Sequence, residues 1–189
     1  KEGFSHQSIN LEHRVGWLVT EQERNGFKLD CDNAEQLMMD LMFEMNNIEA
    51  SLQDIFPPIV EERWSEKTGK QLKDKVTVFN PGSRKQIAER LQGLGVKFDK
   101  KTEKGNIIVD EKVLEGIDRP EAKAVARYMM LQKRVAQIDS WLKAVKDDGR
   151  VHGRVITNGA VTGRMTHQSP NMAQVPAVSA PFGTECRSC

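Results

Sequence analysis

Long apolar runs, internal repeats, low-complexity segments and a signal-peptide pattern are all missing from this 189-residue chain. The first absence excludes a membrane-spanning helix, which needs about 20 consecutive apolar residues. The last leaves no mark of secretion. Cysteine is scarce too: Cys31, Cys186 and Cys189 are too few for a disulfide framework and fit a reducing compartment. Together these absences set the expectation of a soluble, cytoplasmic protein with no membrane partner. Cys186-Arg-Ser-Cys189 has C-x-x-C spacing, but a zinc site needs two further ligands and the four histidines are scattered. The length suits one sizeable core, or one core with an extended arm. The chain begins at a lysine and stops just after Cys189 without a tapering polar tail, and so reads as a piece of something longer.

Net charge is also small, at +1, but it is unevenly spread. Residues 1–60 carry 4 Lys/Arg against 11 Asp/Glu, a balance of −7, whereas residues 61–154 carry 22 against 15, a balance of +7. An anionic partner for the middle of the chain follows from this asymmetry, with nucleic acid first in line. The other reading is two merely solvated faces.

What the chain does have is an unusual polar block, Thr162-Gly-Arg164 followed by Met165-Thr-His-Gln-Ser-Pro-Asn-Met-Ala-Gln-Val-Pro176. Two prolines, a glycine before an arginine and a run of uncharged hydrogen-bonding side chains make a poor core segment. They make a good surface for placing polar atoms against a ligand.

In chain order, Leu11, Val15, Leu18 and Val19 recur at helical spacing over 9–24, with Gly26 where a C-terminal cap belongs. Asp32 and Glu35 have capping-box spacing and open a second helix. Its apolar stripe runs through Ala34, Leu37, Met38, Leu41, Met42, Met45, Ile48, Leu52 and Ile55, and Phe56-Pro57-Pro58 stops it. Residues 59–78 lack clear periodicity and read as an extended connection turning at Thr68-Gly69. Ser83 is placed to cap a short helix over 86–91, so backbone N–H groups and Arg84 gather where a phosphate can bind. Residues 93–109, with Lys97, Lys100, Lys101 and Lys104, read as a mobile basic excursion. Asp110 starts a brief helix, and Pro120 opens a long one to about Lys146. The inner face of that long helix is Ala122, Val125, Ala126, Met129, Met130, Ala136, Trp141, Leu142 and Val145. Its outer positions include Arg127, Lys133, Arg134 and Lys143. Asp147-Asp148-Gly149 turns the chain into a strand over Val151–Ile156. Asn158-Gly159 then predicts a tight hairpin whose return strand carries the polar block. The fold class expected is α+β: mainly long helices with a small antiparallel hairpin or sheet.

This order of pieces resembles the family A DNA polymerases, the group of bacterial DNA polymerase I, and is nearest in wording to the replicative enzymes of short-tailed phages. The likeness rests on Glu23-Arg-Asn-Gly-Phe-Lys-Leu-Asp30, Phe79-Asn-Pro-Gly-Ser-Arg84 and Val109-Asp-Glu-Lys-Val-Leu-Glu-Gly116, then Leu131-Gln-Lys-Arg134 and Gly149-Arg-Val-His-Gly153. It is completed by Gly159-Ala-Val-Thr-Gly-Arg-Met-Thr-His167 and Pro170-Asn-Met-Ala-Gln-Val-Pro176. The resemblance implies that residues 1–30 begin the polymerase domain, 31–146 form a thumb with a basic tip, and 147–189 begin the palm. It further implies a chain that grips primer–template DNA for replication. Ser83, Arg84 and Lys133 would meet backbone phosphates. Thr162, Arg164, Asn171 and Gln174 would face the minor groove, where purine N3 and pyrimidine O2 offer acceptors at nearly one place in every correct pair.

What the resemblance calls for and the sequence lacks is equally specific. Family A chemistry uses two palm aspartates holding two Mg²⁺ ions, and a basic fingers helix for the incoming dNTP. No Asp-x-Ser-x-x-Glu, fingers or His-Asp-Glu motif occurs, so no catalytic residue is nominated, and Mg²⁺ and dNTP are expected only in a complete enzyme. Asp147 and Asp148 sit in a turn and are not promoted to metal ligands. Some phage relatives carry a long thumb insertion that recruits a thioredoxin-type processivity factor. Here the corresponding connection is only residues 56–78, so that partner is not expected, while the length still leaves room for a shorter basic arm touching DNA. The alternative to a polymerase fragment is a non-catalytic DNA-binding chain, or one half of a split polymerase.

Overall fold

The computed structural model describes residues 3, 5–103 and 105–189. Lys104, one of the four lysines of the basic excursion, lies outside them. The described residues form an α+β structure, mostly helical with three two-stranded antiparallel ladders. They divide into two compact units, Lys1–Met39 with Ala136–Cys189, and Asp40–Val135. The two longest helices each supply residues to both.

The first unit opens with α1 (His6–Asn25), where the Ser5 side chain accepts from the Ser8 N–H at 3.1 Å. Gly26 ends the helix at φ +62°, a left-handed value that a Cβ strains, and its N–H donates to the Gln22 carbonyl. The helix is where the spacing puts it, but its stripe is not core. Leu11 and Leu18 are 61% and 60% exposed, and neighbouring Trp17 is 65% exposed. Periodicity marks a face; it does not say what covers it.

Next, β1 (Phe27–Lys28) and α2 (Cys31–Ile55) follow without a capping box at Asp32. The cap is Asp30, whose carboxylate accepts from the Asn33 N–H at 3.1 Å, and this puts Asp32 inside the first turn. The cap falls earlier because Leu29, buried, must be delivered from the strand before the helix begins.

In the second unit, the second half of α2 packs against α3 (Arg84–Gly93), α4 (Glu111–Glu115) and the start of α5 (Pro120–Ala144). One cluster joins Leu52, Phe56, Phe79, Leu91, Leu114 and Val125, with the Phe56 and Phe79 rings 4.7 Å apart. Each of these side chains contributes about 1.5–3 kcal/mol by leaving water. Residues 59–78 are not a plain connection. They form a ribbon of β2 (Ile59–Trp64) and β3 (Gln71–Thr77), with a bulge between Glu61 and Arg63 and a turn closed by Ser65 N–H to the Lys70 carbonyl. The ribbon is exposed on both faces, so it never needs the apolar–polar alternation by which a half-buried strand is recognised.

Along α5 the buried positions are Ala122, Val125 and Ala126, then Tyr128, Leu131, Ile138 and Trp141; Ala136 is exposed, against expectation. The helix serves two cores, so a single stripe no longer describes it. Arg127 is also not an outward charge: its guanidinium holds the Glu44 carboxylate through two bonds, of 2.7 and 3.0 Å. Arg134 is half-buried too.

After α5 the chain turns at Asp147–Gly149 within the first unit. The strand expected over Val151–Ile156 is broken in two. β4 (Arg150–Val151) pairs with β1, and β5 (Arg154–Ile156) pairs with β6 (Thr166–Gln168). The break falls at His152-Gly153, where a Cβ on residue 153 would come within 2.9 Å of the Pro170 carbonyl. A 3-10 turn (Met172–Gln174) and α6 (Gly183–Ser188) complete this unit.

Candidate nucleic-acid interface

The residues singled out from the sequence fall into two groups, one in each unit. In the second unit, Ser83 is the N-cap of α3, as expected, but its hydroxyl makes no capping bond. The preceding loop is held instead by Asn80. Its N–H donates to Gln86 Oε1 at 2.7 Å, and its side-chain oxygen accepts from the Gly82 N–H at 2.8 Å. The helix start is therefore fixed by other groups; Ser83 is half-buried and Arg84 beside it is exposed. A Cβ on Gly82 would lie 3.4 Å from Gln132 Nε2, so this helix start lies beside the middle of α5, next to Lys133. Lys133 is 65% exposed and its nearest carboxylate, Glu111, is 3.9 Å away, a loose pair that a phosphate can displace. Ser83, Arg84 and Lys133 thus share one neighbourhood; Gln132 belongs to it and was not singled out from the sequence.

In the first unit, Thr162 and Arg164 do not lie on the return strand. Pairing stops at Ile156↔Thr166, so a nine-residue loop, 157–165, carries them. Asn158-Gly159 is not the tip of a two-residue hairpin, because both favoured turns of that kind need φ > 0 at the first central residue and Asn158 does not have it. Two turns follow one another instead, Gly159 N–H to the Ile156 carbonyl and Gly163 N–H to the Ala160 carbonyl. Gly163 supplies the positive φ, +73°, that lets the loop reverse before Arg164. All of residues 161–165 are exposed.

At the other end of this hairpin the chain reverses at Ser169 and a cis Ser169–Pro170 bond into the 3-10 turn. Asn171 Oδ1 accepts from the Ala173 N–H at 3.1 Å, so part of that side chain is a turn cap. The carbonyls of this strip are gripped from outside it: Gln137 Nε2 donates to Gln174 O, and Arg187 Nε donates to Pro176 O, each at 2.8 Å. The Gln174 side chain remains exposed.

A hub behind the hairpin was not singled out from the sequence. His152 Nδ1 meets the Glu23 carbonyl at 2.8 Å and its Nε2 meets Asp148 Oδ2 at 2.9 Å. Both neighbours are acceptors, so both ring nitrogens are best used as donors. The bond to the Glu23 carbonyl, then the one to Asp148, raise the imidazole above its ordinary 6.5. Partial burial pushes Asp148 upward, but the bonds from His152 and from the Arg150 N–H outweigh it and hold the carboxyl below 3.8. The sign follows. Asp148 contributes stability above its ordinary value and loses it as pH falls through its lowered one. His152 contributes fully below 6.5 and loses it as pH rises through its raised value. The pair therefore supports the fold most between about 3.8 and 6.5. Titration of the ring by NMR should give a midpoint above 6.5, and Asp148→Asn should lower it; an unchanged midpoint in the variant would contradict the pairing.

The described residues bring together no group of three or more His, Cys, Asp or Glu. In the Asp147-Asp148 pair, Asp148 already spends both oxygens on His152 and the Arg150 N–H. Nor is any helix here long and apolar enough to cross a membrane, among the described residues.

Comparison with known proteins agrees with the fold and the motifs. The DNA-directed DNA polymerase of Escherichia phage T7 is 33% identical over 244 aligned positions, covering 97% of this chain and 35% of that protein. The corresponding enzyme of Enterobacteria phage T3 gives the same figures. The alignments are longer than the chain itself, so part of each phage enzyme faces a gap here. DNA polymerase I of Helicobacter pylori is 28% identical over 85% of this chain and 16% of its own length. The chain thus spans about a third, or less, of the length of these curated relatives. Among solved structures, the polymerase domain of Pol1 from M. smegmatis, in complex with DNA primer–template and dNTP, has a TM-score of 0.70. It covers 89% of this chain and 27% of its own at 23% identity, a likeness of fold. The family profile of DNA polymerase family A matches residues 60–189. The chain is a phage-like member of DNA polymerase family A.

Proposed function

We propose that this chain is the DNA-gripping part of a DNA-directed DNA polymerase, with residues 31–146 as the thumb and 1–30 and 147–189 as the start of the palm. The observation that carries this reading is the exposed Thr162–Arg164 loop, presented by a hairpin whose other end leads into the strip of Asn171 and Gln174. A strand advances about 3.4 Å per residue, so β6, the three-residue strand between the loop and the 3-10 turn, spans roughly three base-pair steps. Arg164, Asn171 and Gln174 are donors suited to the minor-groove acceptors that every correct pair offers alike. Ser83, Arg84 and Lys133 hold backbone phosphate and carry no sequence preference. The M. smegmatis relative, named as a complex with primer–template and dNTP, supports DNA as the partner.

Nucleotidyl transfer belongs to a complete enzyme, where two aspartates would bind Mg²⁺ and a fingers helix would bind the dNTP. Residues 1–189 contain neither motif. With Mg²⁺ and dNTPs the pure chain should add no nucleotide to a primer, and template-dependent extension would sink that expectation. The bare ribbon β2–β3 supports a thumb without a docking insertion, so added thioredoxin should not co-elute with the chain.

The role of Arg164 is tested in the polymerase that carries this segment. A mispair displaces the groove acceptor and leaves a donor unmatched, at about 1–3 kcal/mol. Arg164→Ala should therefore slow extension from matched ends by roughly tenfold or more while hardly changing extension from mispaired ends. Equal losses on both ends would mean that the side chain grips DNA without sensing pair geometry.

A further inference from the structure

We propose that Glu23 is a positioning residue for the Thr162–Arg164 loop, an inference that rests on reading Arg164 as a minor-groove donor. Glu23 lies in the last turn of α1 and reaches the hairpin twice. Its carboxylate Oε1 accepts from the Val155 N–H at 2.6 Å, and its backbone carbonyl meets His152 Nδ1 at 2.8 Å. The two attachment points, 152 and 155, bracket Gly153-Arg154, where the chain leaves the β1–β4 ladder and enters β5–β6. One residue therefore sets the direction in which the hairpin departs.

The hairpin needs such a hold. β5 and β6 share only three pairs, Arg154↔Gln168, Val155↔His167 and Ile156↔Thr166, and a two-stranded ladder of that size is marginal alone. Val155 is the middle residue of β5. Its N–H goes to Glu23 and not across to β6, so the carboxylate ties down the strand's free edge. A charge-assisted bond of this length is at the strong end for backbone donors. Arg150 fastens the same helix end from the other side, donating to the Asn25 and Gly26 carbonyls at 3.2 and 3.3 Å. The helix end thus forms a platform, and Glu23 is the part of it that touches the strand leading into the Arg164 loop.

Charge alone predicts the opposite sign. Removing an acid from a surface that faces phosphates should tighten DNA binding, whereas loss of positioning should weaken it. The test uses the 189-residue chain and a primer–template duplex at fixed salt, with Glu23→Ala, Glu23→Gln, Arg164→Ala and the Glu23→Ala/Arg164→Ala double variant. Glu23→Ala should weaken binding roughly fivefold. Glu23→Gln, whose amide oxygen still accepts from Val155, should bind within about twofold of the parent. The double variant should bind no more weakly than Arg164→Ala, because both changes disable one contact. Hydrogen exchange at the Val155 amide should quicken in Glu23→Ala and not in Glu23→Gln.

Fully additive losses would overturn the inference while leaving Arg164 on the DNA. So would tighter binding by Glu23→Ala. If Arg164→Ala alone changed nothing, the minor-groove reading itself would fail, and the inference with it. Should Glu23→Ala unfold, seen as rapid exchange in α5 as well, Glu23→Asp replaces it. That variant keeps the charge but shortens the reach by one methylene, and parent-like binding and parent-like Val155 exchange would overturn the proposal.

Discussion

Truncation of Trp141 to alanine should destabilise the first unit by about 3–5 kcal/mol, the range for removing a buried aromatic. Trp141 is 2% exposed, whereas Trp17 and Trp64 are 65% and 58% exposed. The indole forms part of the wall of an open pocket of about 290 Å³, lined also by Phe27, Leu29, Met172, Val175 and Cys186. For a unit of this size the loss corresponds to a fall in melting temperature of roughly 12–40 °C. The measurement is thermal unfolding followed by tryptophan fluorescence, whose buried component comes from Trp141 in the parent. It is repeated by circular dichroism, since the variant lacks that probe. Trp141→Phe, which keeps most of the volume, should lose much less. A loss below about 1 kcal/mol in Trp141→Ala would mean that this side chain is not central to the core. Because Met172 and Val175 line the same pocket, the variant should also loosen the strip that carries Asn171 and Gln174.

Raising sodium chloride from 50 to 200 mM should weaken binding of primer–template duplex by roughly 40–150-fold. That figure follows from three or four phosphate contacts, each releasing a condensed counterion, at a slope of about −0.9 per contact. Arg84 and Lys133 are two of those cations, and Lys97, Lys100 and Lys101 are the exposed candidates for the rest. Lys133→Ala should reduce the slope by about one without changing preference among sequences. Glu111→Gln should do the reverse of a phosphate-contact loss. It frees Lys133 from a carboxylate 3.9 Å away and should tighten binding modestly. Affinity that stayed level across this salt range would remove the phosphate grip from the account. A slope much steeper than −4 would mean that more of the basic surface is engaged than these residues supply.

Both predictions depend on features that differ in how readily the sequence discloses them. Helices were legible where a local signal was also the cause. Gly26 stops α1 and the prolines after Phe56 stop α2, while Asp110 caps α4 with a 2.8 Å bond to Val113. The ribbon at 59–77 was not legible as strands because both its faces are wet. The capping residue of α2 was misplaced by two positions because Asp30 and Asp32 are chemically alike, and only the packing of Leu29 decides between them.

The same division holds at the interface. Arg164 and its companions stood out because their motif is dense, but the motif did not say that they ride on a nine-residue loop. That length follows from backbone angles at Asn158 and Gly163, which the turn dipeptide alone does not fix. Glu23 and His152 lay within quoted motifs, yet neither was given a task. They are 129 positions apart, and a bond across that separation leaves no local pattern. Arg127 and Arg134 illustrate the converse, since helical spacing put them outside and tertiary packing drew both partly in.

By itself the sequence determined the family, the α+β class, the stops of the first two helices and the identity of the polar block, because each depends on short-range chemistry or on a dense run of characteristic residues. Tertiary structure alone decided which apolar stripe becomes core, which cations are already paired, and how the Arg164 loop is aimed. Those outcomes depend on which surfaces meet, and meeting is a property of the folded chain.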